Sequence, residues 1–298
     1  MKSVSRNIAR HAKELAREID ARAVVVYADV VTGDDELGHI ILAVDYPTIL
    51  VTRSRKEAPA PRAGSVVWVN VPDVQMTRAG QVKTALLVCL ARGVLHQGDR
   101  VVCLSGVDRS QALDTLSVLN LANEPELFSL FDPKSFDGDL APEVFERTLT
   151  LATQLAVEGR EGRAVGALFV LGDSGRVLGQ SRGLVINPFQ GHPESERNVL
   201  DPALEETLKE FSALDGAFIV RGDGVVLTAG SHLMPSRDAS THPAGGLGTR
   251  HGAAAGISAS TGAVAICISQ SSGTVSVYKS GQLVTDIQRP VLGGRFPF

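Results

Sequence analysis

Cysteine is almost absent from this chain. There are three in 298 residues, Cys89, Cys103 and Cys267, odd in number and far apart. That excludes a disulfide framework and leaves no zinc-type cluster, so buried free thiols in a reducing compartment are expected. A basic excess is missing too. Lys and Arg number 29 against 33 Asp and Glu, a formal net charge of -4. Non-specific nucleic-acid binding leaves a basic footprint, so no nucleic-acid partner is expected. Nor is there a long hydrophobic run. No stretch approaches the ~18 apolar residues of a membrane span. The N-terminus alternates charged and apolar residues where a secretory signal would be continuously apolar. These absences point to a soluble, cytoplasmic protein without a membrane partner. Core material is ample: 44% of residues are hydrophobic and 21% charged, in a length that suits one large domain or two ordinary ones.

The first part of the chain alternates helix and strand patterns. Ile8, His11, Leu15 and Ile19 recur at helical spacing. The runs 22–28, 39–44, 48–52, 65–71 and 99–106 read as strands, and 81–94 and 109–119 as helices. Such alternation predicts a three-layer-like α/β domain over residues 1–125. Residues 126–140, rich in Asp, Pro and Gly around their start, read as a linker, and 141–298 as a second, mixed-sheet α/β domain. A helix is expected from about Pro142 to Gly159. A second is expected from Asp201-Pro202, with Asp as N-cap, Pro in the first position, and Leu204, Leu208 and Phe211 on its apolar face.

The second domain contains a degenerate repeat. "GALFVLGDSGRVLG" (166–179) and "GAFIVRGDGVVLT" (216–228) share a Gly-Ala start, an apolar strand, a Gly-Asp turn and a further apolar run. Each reads as a β-hairpin. Residues 263–269 and 274–281 predict a third hairpin. The two copies differ at one place: Val165 precedes the first Gly-Ala, Asp215 the second.

"GGLGTRHGAAAGIS" (245–258) carries the clearest chemistry. Gly245, Gly246 and Gly248 permit turns that expose backbone N–H groups. The small-residue run that follows starts a helix, whose N-terminus favours phosphate. Thr249 adds a hydroxyl, Arg250 a permanently charged fork, and His251 a donor or an imidazolium. Together they form a polyphosphate cradle, although a capped helix with a surface arginine would carry the same residues. Asp215 weighs for the cradle. A carboxylate beside a polyphosphate serves as a Mg²⁺ or Mn²⁺ ligand, or helps deprotonate an attacking hydroxyl. Standing alone it would be a turn residue.

In residue type, order and spacing, "LDGAFIV", "GLGTRHGAAAGIS" and "AICISQSSGTVSVYKSG" resemble the diadenylate cyclase domain, over roughly residues 143–285. The hallmarks are an Asp-Gly-Ala motif and, about thirty-five residues later, an Arg-His motif. The resemblance implies synthesis of cyclic di-AMP from two ATP by a homodimer or higher homo-oligomer, with Mn²⁺ or Mg²⁺. It places Asp215 near the ribose 3′-hydroxyl and the metal. Gly216 and Ala217 line the nucleoside pocket, and the Leu233 backbone meets adenine. Gly248, Thr249, Arg250 and His251 hold the triphosphate, with Ser269 near the phosphates. This chain departs from the pattern twice. Gly252 stands where an arginine is frequent, and Ser269-Gln270-Ser271-Ser272-Gly273 where many members have Ser-Glu-Glu-Thr-Gly. A degenerate domain that only senses ATP or cyclic di-AMP is the alternative. The first domain resembles the C-terminal domain of pyruvate kinase, as in the soluble two-domain branch of the cyclase family. Ser105, Arg109 and Ser110 could then meet a phosphate-bearing ligand, although an ordinary strand–loop–helix connection has the same look.

Overall fold

A computed structural model describes residues 2–31, 35–42, 46–53, 66–106, 112–123, 140–235 and 248–287. The chain divides into two compact units, one drawn from residues 1–129 and the other from 130–288.

The first unit contains α1 (Lys2–Glu18), β1 (Ala23–Tyr27), α2 (Asp35–Leu42), β2 (Thr48–Thr52), β3 (Val66–Asn70), α3 (Arg78–Ala91), β4 (Arg100–Ser105) and β5 (Thr115–Asn120). Its sheet runs β3-β2-β1-β4-β5. The first four strands are mutually parallel, and β5 is antiparallel to β4. Every residue of β1 and β2 is buried, as β-branched runs in a sheet covered on both faces should be. Thr77 caps α3 by accepting from the Gly80 amide.

Two expectations in this unit need correction. Residues 39–44 were expected to be a strand; up to Leu42 they complete α2, whose buried residues Leu37 and Ile41 are four apart. A short apolar run fits either period, and the spacing to Leu37 decides it. Residues 109–119 were expected to be a helix, yet Thr115–Asn120 pair with β4, whose edge offers the hydrogen bonds. Helix α1 forms as the spacing predicts; it buries Ala9, Ala12 and Ala16, while Ile8 and Leu15 are half-buried and His11 is exposed. Small side chains let this helix lie close on its neighbours, so volume outranks hydrophobicity there. Arg109 and Ser110 lie outside the described residues, as do residues 126–139 of the expected linker.

The second unit contains α4 (Pro142–Glu158), β6 (Leu168–Leu171), α5 (Ser174–Gly179), β7 (Ser181–Gly183), α6 (Glu205–Phe211), β8 (Ala217–Val220), β9 (Val226–Leu233), α7 (Thr249–Ser260), β10 (Val264–Ile268), β11 (Val275–Lys279) and β12 (Gln282–Ile287). The seven strands are ordered β12-β11-β10-β6-β8-β9-β7. β6 and β8 are parallel, and the other neighbours are antiparallel. Leu168, Val170, Ala217, Ile219, Ala265 and Cys267 present one face to Ala254, Ala255 and Ile257 of α7. Residues of the other parity include Phe169 and Phe218, stacked 4.8 Å apart.

The repeat is thus real in space: its two first strands lie side by side, Phe169 opposite Phe218. Only the second copy is a hairpin. After β6 the chain takes a left-handed step at Asp173 (φ 42°) and enters α5. Asp173 then accepts from the Gly262 amide rather than turning a strand back. The third hairpin forms as expected from β10 and β11, and β12 extends it. Asp201 accepts from the Ala203 amide ahead of a 3-10 turn, Pro202–Leu204, that leads into α6. The three cysteines are free and buried.

Charge as well as apolar contact joins α4 to α6. Lys209, its side chain 5% exposed, reaches Glu158 and Glu205 at 2.9 Å each. Arg147 reaches Glu205 at 2.8 Å. Burial alone would raise the Glu205 pKa; the bonds from Lys209 and Arg147 outweigh it and hold the carboxylate below its ordinary 4.5. A lowered folded pKa gives stability that is present above 4.5 and lost as pH falls through the folded value. Melting scans should therefore show a falling midpoint below that pH, and Glu205→Gln should flatten this limb. An identical acid limb in the variant would show that the pair carries none of the dependence.

Candidate active site

Two chain segments thirty-five residues apart meet at one end of the second unit's sheet. Asp215 follows α6 and precedes β8. Its neighbour Gly216 has φ 107°, and a Cβ there would lie 2.6 Å from the Gly230 carbonyl carbon. Only glycine tolerates both the conformation and the approach, and this pins the Asp215 backbone against β9. The Asp215 side chain is 90% exposed. Ala217 is buried in the α7-facing core.

Arg250, in the first turn of α7, reaches Asp215 with Nη2 3.4 Å from Oδ1. Its path crosses Gly166, where a Cβ would come 2.9 Å from Arg250 Nη1 and 3.0 Å from the Gln270 Cβ. The first half of the repeat thus contributes an empty space that the guanidinium fills. Gly166→Ala should push Arg250 aside and weaken binding of the polyphosphate expected from the sequence, with ATP as the probe, about fivefold, roughly 1 kcal/mol, with little change in melting midpoint. Equal ATP affinity in the variant would show that Arg250 has another route to the site.

Gly248 is the N-cap of α7 and has no side chain to accept from the first-turn amides. The Gly248 carbonyl takes the His251 and Gly252 amides, and those of Thr249 and Arg250 remain for an external acceptor. Thr249, Arg250 and His251 line a cavity of about 480 Å³ together with Ser269, Gln270 and Tyr278. The His251 ring stands edge-on to Tyr278, centroids 6.3 Å apart. Burial lowers its pKa from the ordinary 6.5, which favours the neutral donor of the two forms read from the sequence. Ser269 opens the β10–β11 turn, and its hydroxyl lies 3.3 Å from that of Ser271. Burial pushes the Cys267 thiol up to about 12, which keeps it inert beneath the site.

Leu233 ends β9 with its side chain in the core, 7% exposed, paired with Ser181 of β7. Asp215, Gly216, Ala217 and Leu233 lie outside the cavity under α7. Gly245 and Gly246 fall outside the described residues. A second cavity of about 540 Å³, absent from the sequence-based expectations, is lined by Arg182, Val185, Asn187, Thr228 and Ser231 among others. Val185 touches the space over Gly230, next to Gly216. Leu184, Val185 and Ile186 are 47%, 45% and 93% exposed, an apolar rim beside this cavity. The sequence "GLVI" is the only signal for it.

Among the described residues, no group of three or more His, Cys, Asp or Glu side chains could hold a metal. Asp215 offers a carboxylate at the Arg250 contact, and Asp286 lies in the wall of the cavity that Arg250 lines. That suits a hard cation whose shell is completed by phosphate oxygens and water. No helix among the described residues is long and apolar enough to cross a membrane.

Comparison with known proteins gives concordant results. Residues 154–283 match the family described as DisA bacterial checkpoint controller nucleotide-binding. Residues 5–128 match one described as probable sensor domain DacZ_P. The chain is similar to a diadenylate cyclase of Methanocaldococcus jannaschii, 30% identical over 94% of this chain and 96% of the relative. A diadenylate cyclase of Haloferax volcanii is 31% identical over 82% and 86%. Among solved structures, DacA from Staphylococcus aureus aligns with a TM-score of 0.33 and 21% identity, over 47% of this chain and 84% of that one.

Proposed function

Since the chain belongs to the diadenylate cyclase family, we propose that it condenses two ATP into cyclic di-AMP with release of two pyrophosphates. The observation that carries this reading is the convergence of Asp215 and Arg250 at the uncapped mouth of α7. A carboxylate for a hydroxyl and a guanidinium for phosphate are thereby held side by side.

In this reading the side chains of Thr249 and Arg250 and their two backbone amides bind the triphosphate. Arg250 also donates to the α-phosphate oxygens as negative charge builds during transfer. Neutral His251 donates one ring N–H to the phosphates. Gln270 borders Arg250 without a charge of its own, and among the described residues Asp215 is the carboxylate that pairs with the guanidinium. Gly216 and Ala217 flank the ribose, and the Leu233 backbone borders the adenine. The Asp215 carboxylate holds the proton of the attacking 3′-hydroxyl. A Mg²⁺ or Mn²⁺ held by Asp215 and the phosphates would supply electrostatic stabilisation at the reacting oxygens. No covalent link to the protein is required.

One unit supplies one such site, while each product needs two transfers. Two copies must therefore face each other, the 3′-oxygen of one ATP against the α-phosphorus of the other. The 90% exposed Asp215 side chain suits this arrangement, as does the apolar rim of Leu184, Val185 and Ile186. The departures at Gly252, Gln270 and Ser271 favour one other reading, a domain that binds ATP or cyclic di-AMP without turning over. The test is product analysis with ATP and Mn²⁺ over a protein dilution series. Cyclic di-AMP whose specific activity falls on dilution is expected. Bound ATP without product would leave a binding module, and concentration-independent synthesis by a monomer would remove the facing pair.

A further inference from the structure

The floor of the cavity under α7 has no role in the reaction as described so far. It is formed by Tyr278 of β11, which pairs with Ala265 of β10 and lies beneath the first turn of α7. The residue is 3% exposed. A tyrosine hydroxyl buried to that degree ordinarily has a hydrogen-bond partner. Among the described residues nothing bonds to the Tyr278 hydroxyl, and it is not among the polar atoms sealed from solvent. It is therefore open to the cavity. Several hydroxyls of the cavity wall are already engaged: Ser269 with Ser271, and Ser272 with Thr274. Tyr278 is a spare donor in the floor of the same space as Thr249, Arg250 and His251.

We propose that the Tyr278 hydroxyl donates a hydrogen bond to the triphosphate of ATP beyond its α-phosphate, making Tyr278 a substrate-binding residue. The inference rests on the reading of the α7 mouth as the triphosphate site. Two observations favour phosphate over nucleoside. The cavity is lined by the α7 mouth, and none of Gly216, Ala217 and Leu233 borders it. Burial also pushes the Tyr278 pKa up to about 12, so the group keeps its proton at any working pH. A neutral donor here would replace in part the charge absent at Gly252.

The test is equilibrium binding of α,β-methylene-ATP and of AMP to the full chain and to Tyr278→Phe, which keeps the ring against His251. The triphosphate analogue should bind about tenfold more weakly to the variant, the scale of a hydrogen bond to a charged group. AMP binding and the melting midpoint should not change. Equal affinity of variant and parent for the triphosphate would overturn the proposal. So would an equal loss for AMP, which would mean that the hydroxyl acts through the fold. Arg250→Ala, measured alongside, separates the two levels. If it weakens triphosphate binding while Tyr278→Phe does not, the site stands and Tyr278 has no part in it. If neither variant weakens binding, the triphosphate site itself is misplaced, and the proposal falls with it.

Discussion

Asp215→Asn is expected to lower cyclic di-AMP synthesis by on the order of 10³-fold, with ATP still bound. The substitution keeps the side chain's size and removes only its charge. The side chain is 90% exposed and its one polar partner among the described residues is Arg250, at 3.4 Å, so folding should not suffer. What is lost is the acceptor for the 3′-hydroxyl proton and the carboxylate ligand for a cation. ATP affinity should hold, because the phosphates are bound by α7 and not by Asp215. Removing the carboxylate even frees Arg250 for phosphate, which favours slightly tighter ATP binding. Rate and ATP affinity measured together check this. A variant that turns over like the parent would take Asp215 out of the chemistry.

Arg250→Ala should act differently, weakening ATP binding and slowing transfer together, with kcat/KM down on the order of 10²-fold. The guanidinium pairs with phosphate before the reaction and meets growing charge during it. Lysine at this position should restore part of the binding and little of the rate, because it keeps the charge and loses the planar fork. The shape of the loss is diagnostic. A rise in KM alone would make Arg250 a ground-state contact. Unchanged kinetics would leave α7 without a role at the phosphates.

The contrast between the variants follows from the geometry, and much of that geometry was legible in the sequence. Asp215-Gly216-Ala217 and Thr249-Arg250-His251 stand out as residue types, and the structure brings Asp215 and Arg250 within 3.4 Å. Strands such as β1 and β8 are legible because continuous β-branched and aromatic runs suit a doubly covered sheet. Gly166 was visible as half of a repeat, but its use was not. Its meaning depends on Arg250 crossing from α7, a contact between residues far apart in the chain. The failures share this cause. Val177 and Leu178 were expected in a second strand, yet α5 forms after Asp173, which is anchored to the Gly262 amide. β5 owes its state to the open edge of β4. Tyr278 left no trace as a site residue, since a tyrosine inside a strand pattern reads as core. Only pairing across the sheet puts it under His251.

The measurement that bears most directly on the central claim is product stoichiometry from the full chain with ATP and Mn²⁺. Cyclic di-AMP and pyrophosphate are quantified together, with the linear intermediate pppApA resolved beside them. Two transfers between facing sites predict two pyrophosphates for each cyclic di-AMP, with pppApA appearing first and then being consumed. ATP bound at Arg250 with neither product formed would contradict the account.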